Sequence, residues 1–306
     1  MEKHLKVMPK MNNAGVVGLG AMGSGLARNL IAAGFETYGF DLSSDKLRQL
    51  AELGGKSCST VQEVGRQSDA VFVMVMNGQQ AHSVILGPEG LAASMTGGGA
   101  IILTATILPS EARALGEGLA GTGISFIDSP VSGGYPGAQN GSLALMSAAP
   151  IATIEKFRPF LDAVSKVVHH VGDEPGQGQS VKTCLQSLIG SIFSATYEAS
   201  VLAAKAGVSG QALREVIAST GAGNGITDGS LENIMARKFS GTGSHINTMH
   251  KDLSIVMDVA REMGVPMHTA SAAMQLFTAG RTAYPDGDNQ AVTRVIETIV
   301  GTELKP

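Results

Sequence analysis

The chain has 306 residues and a net charge of −4, with 22 Lys and Arg against 26 Asp and Glu. It offers no basic surface to a phosphate backbone, so a nucleic-acid partner is not expected. Its only two cysteines, Cys58 and Cys184, lie far apart, which excludes a disulfide framework and a paired-cysteine metal site. Forty glycines and 4% aromatic residues suit an α/β protein with many tight turns.

Residues 1–13 carry charges without the apolar run of a secretory signal; they read as a frayed extension and are assigned no role. The longest uncharged stretch, residues 90–110, is broken by Gly97-Gly98-Gly99 and reads as loop plus strand, not a membrane span. A reduced, cytoplasmic enzyme is the expectation.

From Ala14 onward, short β-rich runs alternate with helical patterns. Residues 14–18 predict a buried strand, 22–34 a helix ending on Gly34, 36–41 a second strand, and 43–54 a helix capped by Ser43 or Ser44. Further strands are predicted at 70–76, 100–106 and 124–128, with 143–148 and 166–171 extending the sheet. Strands at this spacing imply right-handed crossovers and a Rossmann-like, doubly wound, mostly parallel sheet covered on both faces.

At the first strand-to-helix turn stand Gly18, Leu19, Gly20, Ala21, Met22 and Gly23. A GxGxxG pattern is weak alone, but this one follows a predicted strand and opens a helix. Asp41 follows at the tip of the second strand, the spacing of a dinucleotide site. Gly18 permits the tight turn, Gly20 lets the backbone approach a pyrophosphate, and Gly23 lets helix and strand pack closely. The helix N-terminus then supplies free N–H groups to the phosphates. A carboxylate at Asp41 accepts hydrogen bonds from both adenosine ribose hydroxyls and repels a 2′-phosphate; Leu42, Ser43 and Ser44 offer no arginine to hold one. The cofactor read here is NAD rather than NADP. Asp41 as a mere helix cap is the competing reading.

Residues 172–180, GDEPGQGQS, form a turn-rich boundary. It divides a dinucleotide-binding domain, 14–174, from an all-helical domain, 175–306, at whose start a substrate cleft is expected. The second opens on one long helix over 180–206, up to ~27 residues and ~40 Å at 1.5 Å per residue, with Gly190 inside it. Further helices are predicted at 210–220, 231–239, in the 250s, at 266–282 and at 290–300.

Between residues 176 and 193 the only charged side chain is Lys182. Gly178, Lys182 and Gln186 are spaced four apart and share one stripe of the helix, while Cys184 points roughly to the opposite face. A lone helical lysine is most often a solvated surface group. The charge-poor helix and its start at a domain boundary, where substrate clefts commonly form, favour a buried functional lysine instead.

GLGAMG at 18–23, DSPVSGG at 128–134 followed by Ala138 and Gly141, GQSVK at 178–182 and KDL at 251–253 together resemble the β-hydroxyacid dehydrogenases. This family includes 3-hydroxyisobutyrate, tartronate semialdehyde and L-threonate dehydrogenases, and the resemblance covers nearly the whole chain from Ala14. It implies that Ser132, Gly133 and Gly134 hold a substrate carboxylate and that Lys182 is the catalytic lysine. It implies further that Lys251 lies beside the cofactor and Thr106 near the nicotinamide ribose. Val75, Met76 and Gln80 fall where further dinucleotide contacts are expected, although the usual Leu-Pro there is replaced. Homodimers or homotetramers are implied as well. Gln186 replaces the family's usual asparagine, Ala105 a common serine, and Asn289 a common carboxylate. Gln186 with the EPGxGxxVK lead-in, and NxxQ at 77–80, look most like the L-threonate dehydrogenase branch.

The expected reaction is NAD-dependent oxidation of a small hydroxy acid, with Lys182 accepting the hydroxyl proton and Gln186 contacting the substrate or orienting the lysine. An unperturbed lysine, pKa ~10.4, is too basic for that at neutral pH. Burial at the domain boundary and the positive nicotinamide would lower it, whereas a partner carboxylate would keep it protonated. The expectation is therefore a lysine without a carboxylate partner. The alternatives are a 3-hydroxyisobutyrate or tartronate semialdehyde enzyme of the same family, and a nucleotide-binding protein that has lost its chemistry. No metal site is expected: His245 and His250 lack HExxH spacing, and His169 and His170 alternate across a strand.

Overall fold

A computed structural model describes residues 11–306; most of the N-terminal extension lies outside the described residues. In chain order the first half comprises β1 (Asn13–Val17), α1 (Ala21–Ala32), β2 (Glu36–Phe40), α2 (Ser44–Glu52), β3 (Lys56–Ser57), α3 (Val61–Gln67), β4 (Ala70–Val73), α4 (Gly78–Leu86), β5 (Ala100–Leu103), α5 (Pro109–Gly118), β6 (Ser125–Asp128), β7 (Val131–Ser132), α6 (Gly134–Gln139), β8 (Leu143–Ala148), α7 (Ile151–Val164) and β9 (Ser165–Gly172). The second half comprises α8 (Gln177–Lys205), α9 (Gly210–Ala218), α10 (Gly225–Met235), α11 (Ile246–Met263), α12 (His268–Ala283), a 3-10 turn (Asn289–Val292) and α13 (Thr293–Val300).

The strands form one sheet in the order β3-β2-β1-β4-β5-β6-β8-β7, with β9 beside β8. Pairing is parallel from β3 to β6. At the far end β8 runs antiparallel to β6 and β7 and parallel to β9. The two-residue strands β3 and β7 escaped the sequence reading because they are too short to show a period. Successive residues of β5 face opposite sides, as pleating requires. Ala100 and Ile102 pack with Leu26, Leu30, Phe157 and Phe160 on one face, whereas Ile101 and Leu103 pack with Val64, Ile85 and Leu115 on the other. Both faces are covered, and each fully buried side chain of this size contributes about 1.5–3 kcal/mol.

The connections reverse direction at β1. The chain steps outward through β2 and β3, then returns to β4 on the other side of β1. In open parallel sheets the crevice beyond the strand ends at such a reversal is where ligands bind.

The chain divides into two compact units, the first ending at Gln179 and the second running from Ser180 to Pro306. The division falls inside α8. In the second unit Phe193, Tyr197 and Phe277 form a ring cluster with centroids 5.9–6.4 Å apart, packed with Leu231, Ile246 and Leu253. Gly190, inside α8, allows close contact with α11: a Cβ there would lie 2.7 Å from a Leu253 methyl. Helix α10 begins six residues before the predicted 231. Its start is set by the Asn224 side chain, which caps Ile226 and Thr227, a signal that outweighs the apolar period. Among the described residues α8 is the one helix long and apolar enough to cross a membrane. It nevertheless buries Lys182, Thr183, Gln186, Thr196 and Ser200 and supplies Phe193 and Tyr197 to a protein core.

Candidate active site

Gly18 ends β1 with φ +91°, a conformation glycine adopts without strain. A Cβ there would sit 2.2 Å from the Met74 carbonyl oxygen, and one on Gly23 would sit 1.8 Å from the Gly18 carbonyl oxygen. Neither position tolerates a side chain. Gly20 is different: a Cβ there would meet only the Lys46 ammonium, 3.7 Å away. The backbone at Gly20 is thus open to a large group. Gly20 is also the N-cap of α1, with no side-chain cap and no acidic residue in the first turn. An uncapped, accessible helix N-terminus beside a bare backbone fits a pyrophosphate.

Asp41 follows β2 directly. Its Oδ2 accepts from the Leu19 amide at 2.7 Å and its Oδ1 from the Ser43 amide at 2.9 Å. Ser43 occupies the N-cap of α2 without a side-chain bond, so Asp41 is not the cap; it ties the glycine turn to the end of β2. Each carboxylate oxygen retains a lone pair for a ribose hydroxyl. Lys46 Nζ lies 3.7 Å from Asp41 Oδ2, a cation that a reading of residues 42–44 could not include.

Beyond β4, Gln80 Oε1 accepts from the Met76 amide at 2.9 Å and Asn77 caps α4. Gln80 therefore shapes the loop that carries Val75 and Met76, and Met76 projects outward. Thr106 follows β5. Ser132 is in β7, and Gly133 (φ +127°) and Gly134 (φ +59°) turn the chain into α6. This turn is braced against α1, where Asn29 Nδ2 donates to the Ala138 carbonyl at 2.7 Å. All these groups except those of β7 lie beyond the carboxyl ends of parallel strands, as the sequence pattern implied.

In the helical unit Lys182 is buried, with only 6% of its surface exposed, and so is Gln186. Burial holds the Lys182 ammonium below the usual lysine range; the Asp252 carboxylate pulls it back up, and Lys251 pushes it further down. The expectation of a lysine without a carboxylate partner is therefore corrected. Asp252, 4% exposed, accepts from Gln186 Nε2 at 2.5 Å and pairs with Lys251 Nζ at 3.1 Å. Desolvation is the larger effect, so the lysine remains depressed despite the carboxylate. Gln186 thus holds Asp252 through its amide nitrogen, a partner the sequence reading did not name. The sequence contained a signal for Asp252. Met249, Asp252, Leu253 and Val256 follow the buried stripe of α11, and a carboxylate on such a stripe needs partners. Among the described residues no cluster of His, Cys, Asp and Glu could hold a metal ion.

The profile for the NAD binding domain of 6-phosphogluconate dehydrogenase matches residues 13–172. The profile described as NAD-binding of NADP-dependent 3-hydroxyisobutyrate dehydrogenase matches residues 176–296. The chain belongs to this 3-hydroxyisobutyrate-dehydrogenase-like family. It is 35% identical to an L-threonate dehydrogenase of Cupriavidus necator over 95% of this chain and 97% of that one. It is 32% identical to a 2-(hydroxymethyl)glutarate dehydrogenase of Eubacterium barkeri, over 99% of each. A crystal structure of 3-hydroxyisobutyrate dehydrogenase from Salmonella typhimurium superposes with a TM-score of 0.84 at 30% identity, covering 92% of this chain and 99% of that one. The chain is an NAD-dependent oxidoreductase of the hydroxyacid dehydrogenase class, with a dinucleotide-binding sheet domain and a helical bundle.

Proposed function

We propose that this family member oxidises L-threonate, with Lys182 as the general base, and that Asp41 selects NAD over NADP. The observation that carries the mechanism is the burial of Lys182, which lowers the cost of losing its proton. A neutral amine accepts the proton of the substrate hydroxyl, and in the reverse direction the ammonium returns it. Bound NAD supplies the hydride acceptor. The residues present fit that group: Gly18, Leu19, Gly20, Ala21, Met22 and Gly23 offer the open helix N-terminus, and Asp41 the ribose acceptor. Val75, Met76, Gln80, Thr106 and Lys251 are the further cofactor contacts of this reading.

Ser132, Gly133 and Gly134 hold the substrate carboxylate through a hydroxyl and two amides that no Cβ crowds. Asp252 tempers the depression of Lys182, so that the lysine takes a proton in one direction and returns it in the other. Gln186 orients Asp252 through its amide nitrogen, which turns its oxygen away from the carboxylate as an acceptor for a substrate hydroxyl. That acceptor, with the 35% identity to an L-threonate dehydrogenase, supports a polyhydroxy acid. The second reading is 3-hydroxyisobutyrate, supported by the 30% identical Salmonella structure. Homo-oligomerisation belongs to the same proposal: Val181, Leu188 and Leu202 leave an exposed apolar stripe along α8.

The test is NAD⁺ reduction by L-threonate, 3-hydroxyisobutyrate and glycerate, with the native chain and Lys182→Ala. Turnover of L-threonate that disappears in Lys182→Ala while NADH still binds is the expected result. Turnover of 3-hydroxyisobutyrate alone replaces the substrate. Full activity of Lys182→Ala overturns the mechanism.

A further inference from the structure

Gln179, in the first turn of α8, is fully buried and carries no role in the mechanism above. Its carboxamide is nevertheless committed at both ends. Nε2 donates to the Ala105 carbonyl at 3.0 Å and to Asp128 Oδ1 at 2.9 Å, while Oε1 accepts from the Ile107 amide at 3.1 Å. The two backbone partners bracket Thr106. A flipped carboxamide would set its oxygen against a carbonyl and a carboxylate, and its NH₂ against an N–H, so only one orientation is satisfied. Asp128 enforces it. This carboxylate, at the end of β6 and itself fully buried, is held by the Gly176 amide at 2.8 Å and the Gln179 amide at 3.2 Å. A buried pair this fully bonded is rigid, and losing one member leaves its neighbours with unmet hydrogen bonds.

The strand order says what this rigidity serves. On the dehydrogenase reading Asp41 at β2 would hold the adenosine end of the dinucleotide and the glycine turn at β1 the pyrophosphate. On the other side of β1 stand β4 and then β5, which leads into Thr106, and there the nicotinamide end would lie. We propose that Gln179, oriented by Asp128, is a positioning residue that sets the Thr106 turn against the nicotinamide end of the cofactor. The proposal rests on the dehydrogenase reading above.

The experiment compares NADH with ADP-ribose, which shares the adenosine and pyrophosphate but lacks the nicotinamide. Both are titrated calorimetrically into the wild-type chain, Gln179→Met and Gln179→Glu; both replacements are close to glutamine in size. Losing one well-made hydrogen bond corresponds to about tenfold in affinity. The expected result is NADH binding weakened about tenfold or more in both variants, ADP-ribose binding within about twofold of wild type, and a raised KM for NAD⁺ with lowered kcat. Equal weakening of both ligands overturns the proposal in favour of a general structural role, as does the failure of both variants to fold. Wild-type binding and turnover in both variants overturn it as well. A wild-type chain that reduces no NAD⁺ with any hydroxy acid refutes the dehydrogenase reading, while the two binding titrations still decide the role of Gln179.

Discussion

The sheet unit and the helical unit prepare their polar groups in opposite ways. At the strand ends the working groups are mostly backbone amides, exposed because glycine leaves them bare and placed by chain connectivity within a few residues. In the helical unit they are polar and charged side chains, most of them taken out of water. There Lys182 and Gln186 come from α8 and Lys251 and Asp252 from α11, with Gln186 and Asp252 separated by 66 residues. The first arrangement costs little electrostatically and is sensitive to added bulk. The second depends on desolvation, so it is sensitive to charge and pH.

Substitutions separate these two dependencies. The largest effect is expected from Lys182→Ala, a loss of about 10²–10⁴ in kcat with NADH affinity retained, measured by steady-state kinetics and NADH titration. Bulk should dominate at the glycine turn. Gly23→Ala places a Cβ 1.8 Å from a carbonyl oxygen of the backbone, and a loss of about 3 kcal/mol or more in urea unfolding is expected. An alanine tolerated there at under about 1 kcal/mol would show that the turn is not tight.

Asp128 brings the electrostatic dependence into the sheet unit. Burial pushes its carboxyl from 3.8 up to about 6, against hydrogen bonds from Gln179 and nearby amides. Between those values the native chain holds a proton that the unfolded chain has lost. The stability this group contributes is therefore full below about 3.8 and disappears as pH rises through about 6, about 3 kcal/mol in all. Unfolding free energies of wild type and Asp128→Asn, from urea titrations at pH 4 and at pH 7, should shift relative to each other by most of this amount, about 2 kcal/mol; parallel pH dependence would remove the assignment.

Smaller effects follow at the two carboxylates that face lysines. Asp41→Ser leaves Lys46 without its partner and beside the ribose, so the ratio of kcat/KM for NADP to that for NAD should rise about tenfold, the worth of one charge-assisted bond. An unchanged ratio would deny Asp41 its selective role. Asp252→Asn removes the field that raises the Lys182 pKa. The acid limb of the kcat/KM profile should then move to lower pH, and movement to higher pH would contradict the electrostatic account of the lysine.

Legibility in the sequence followed the same division. The glycine turn, Asp41 and the alternation of strands with helices were readable because each is encoded within a few residues, by steric exclusion at glycine or by a period of apolar side chains. The antiparallel end of the sheet was not: β7 is two residues long, and nothing local states whether β8 runs with or against β6. Lys182 stood out by the absence of charge around it, yet that same observation led to the wrong expectation of a lysine with no carboxylate nearby. Its neighbour in space comes from a helix whose KDL motif drew attention to Lys251 alone. Gln179 carried no local signal at all, since an amide in a turn-rich segment is ordinary until its partners on β5 and β6 are known.

The sequence by itself determined the fold class, the class of cofactor and the identity of the buried lysine, because these rest on short-range stereochemistry and on patterned hydrophobicity. Only the tertiary structure decided the electrostatic setting of Lys182 and the lock around Thr106. Both depend on which polar groups meet after burial, and a hydrogen bond or a Coulomb interaction acts over a few ångströms of space, regardless of separation along the chain.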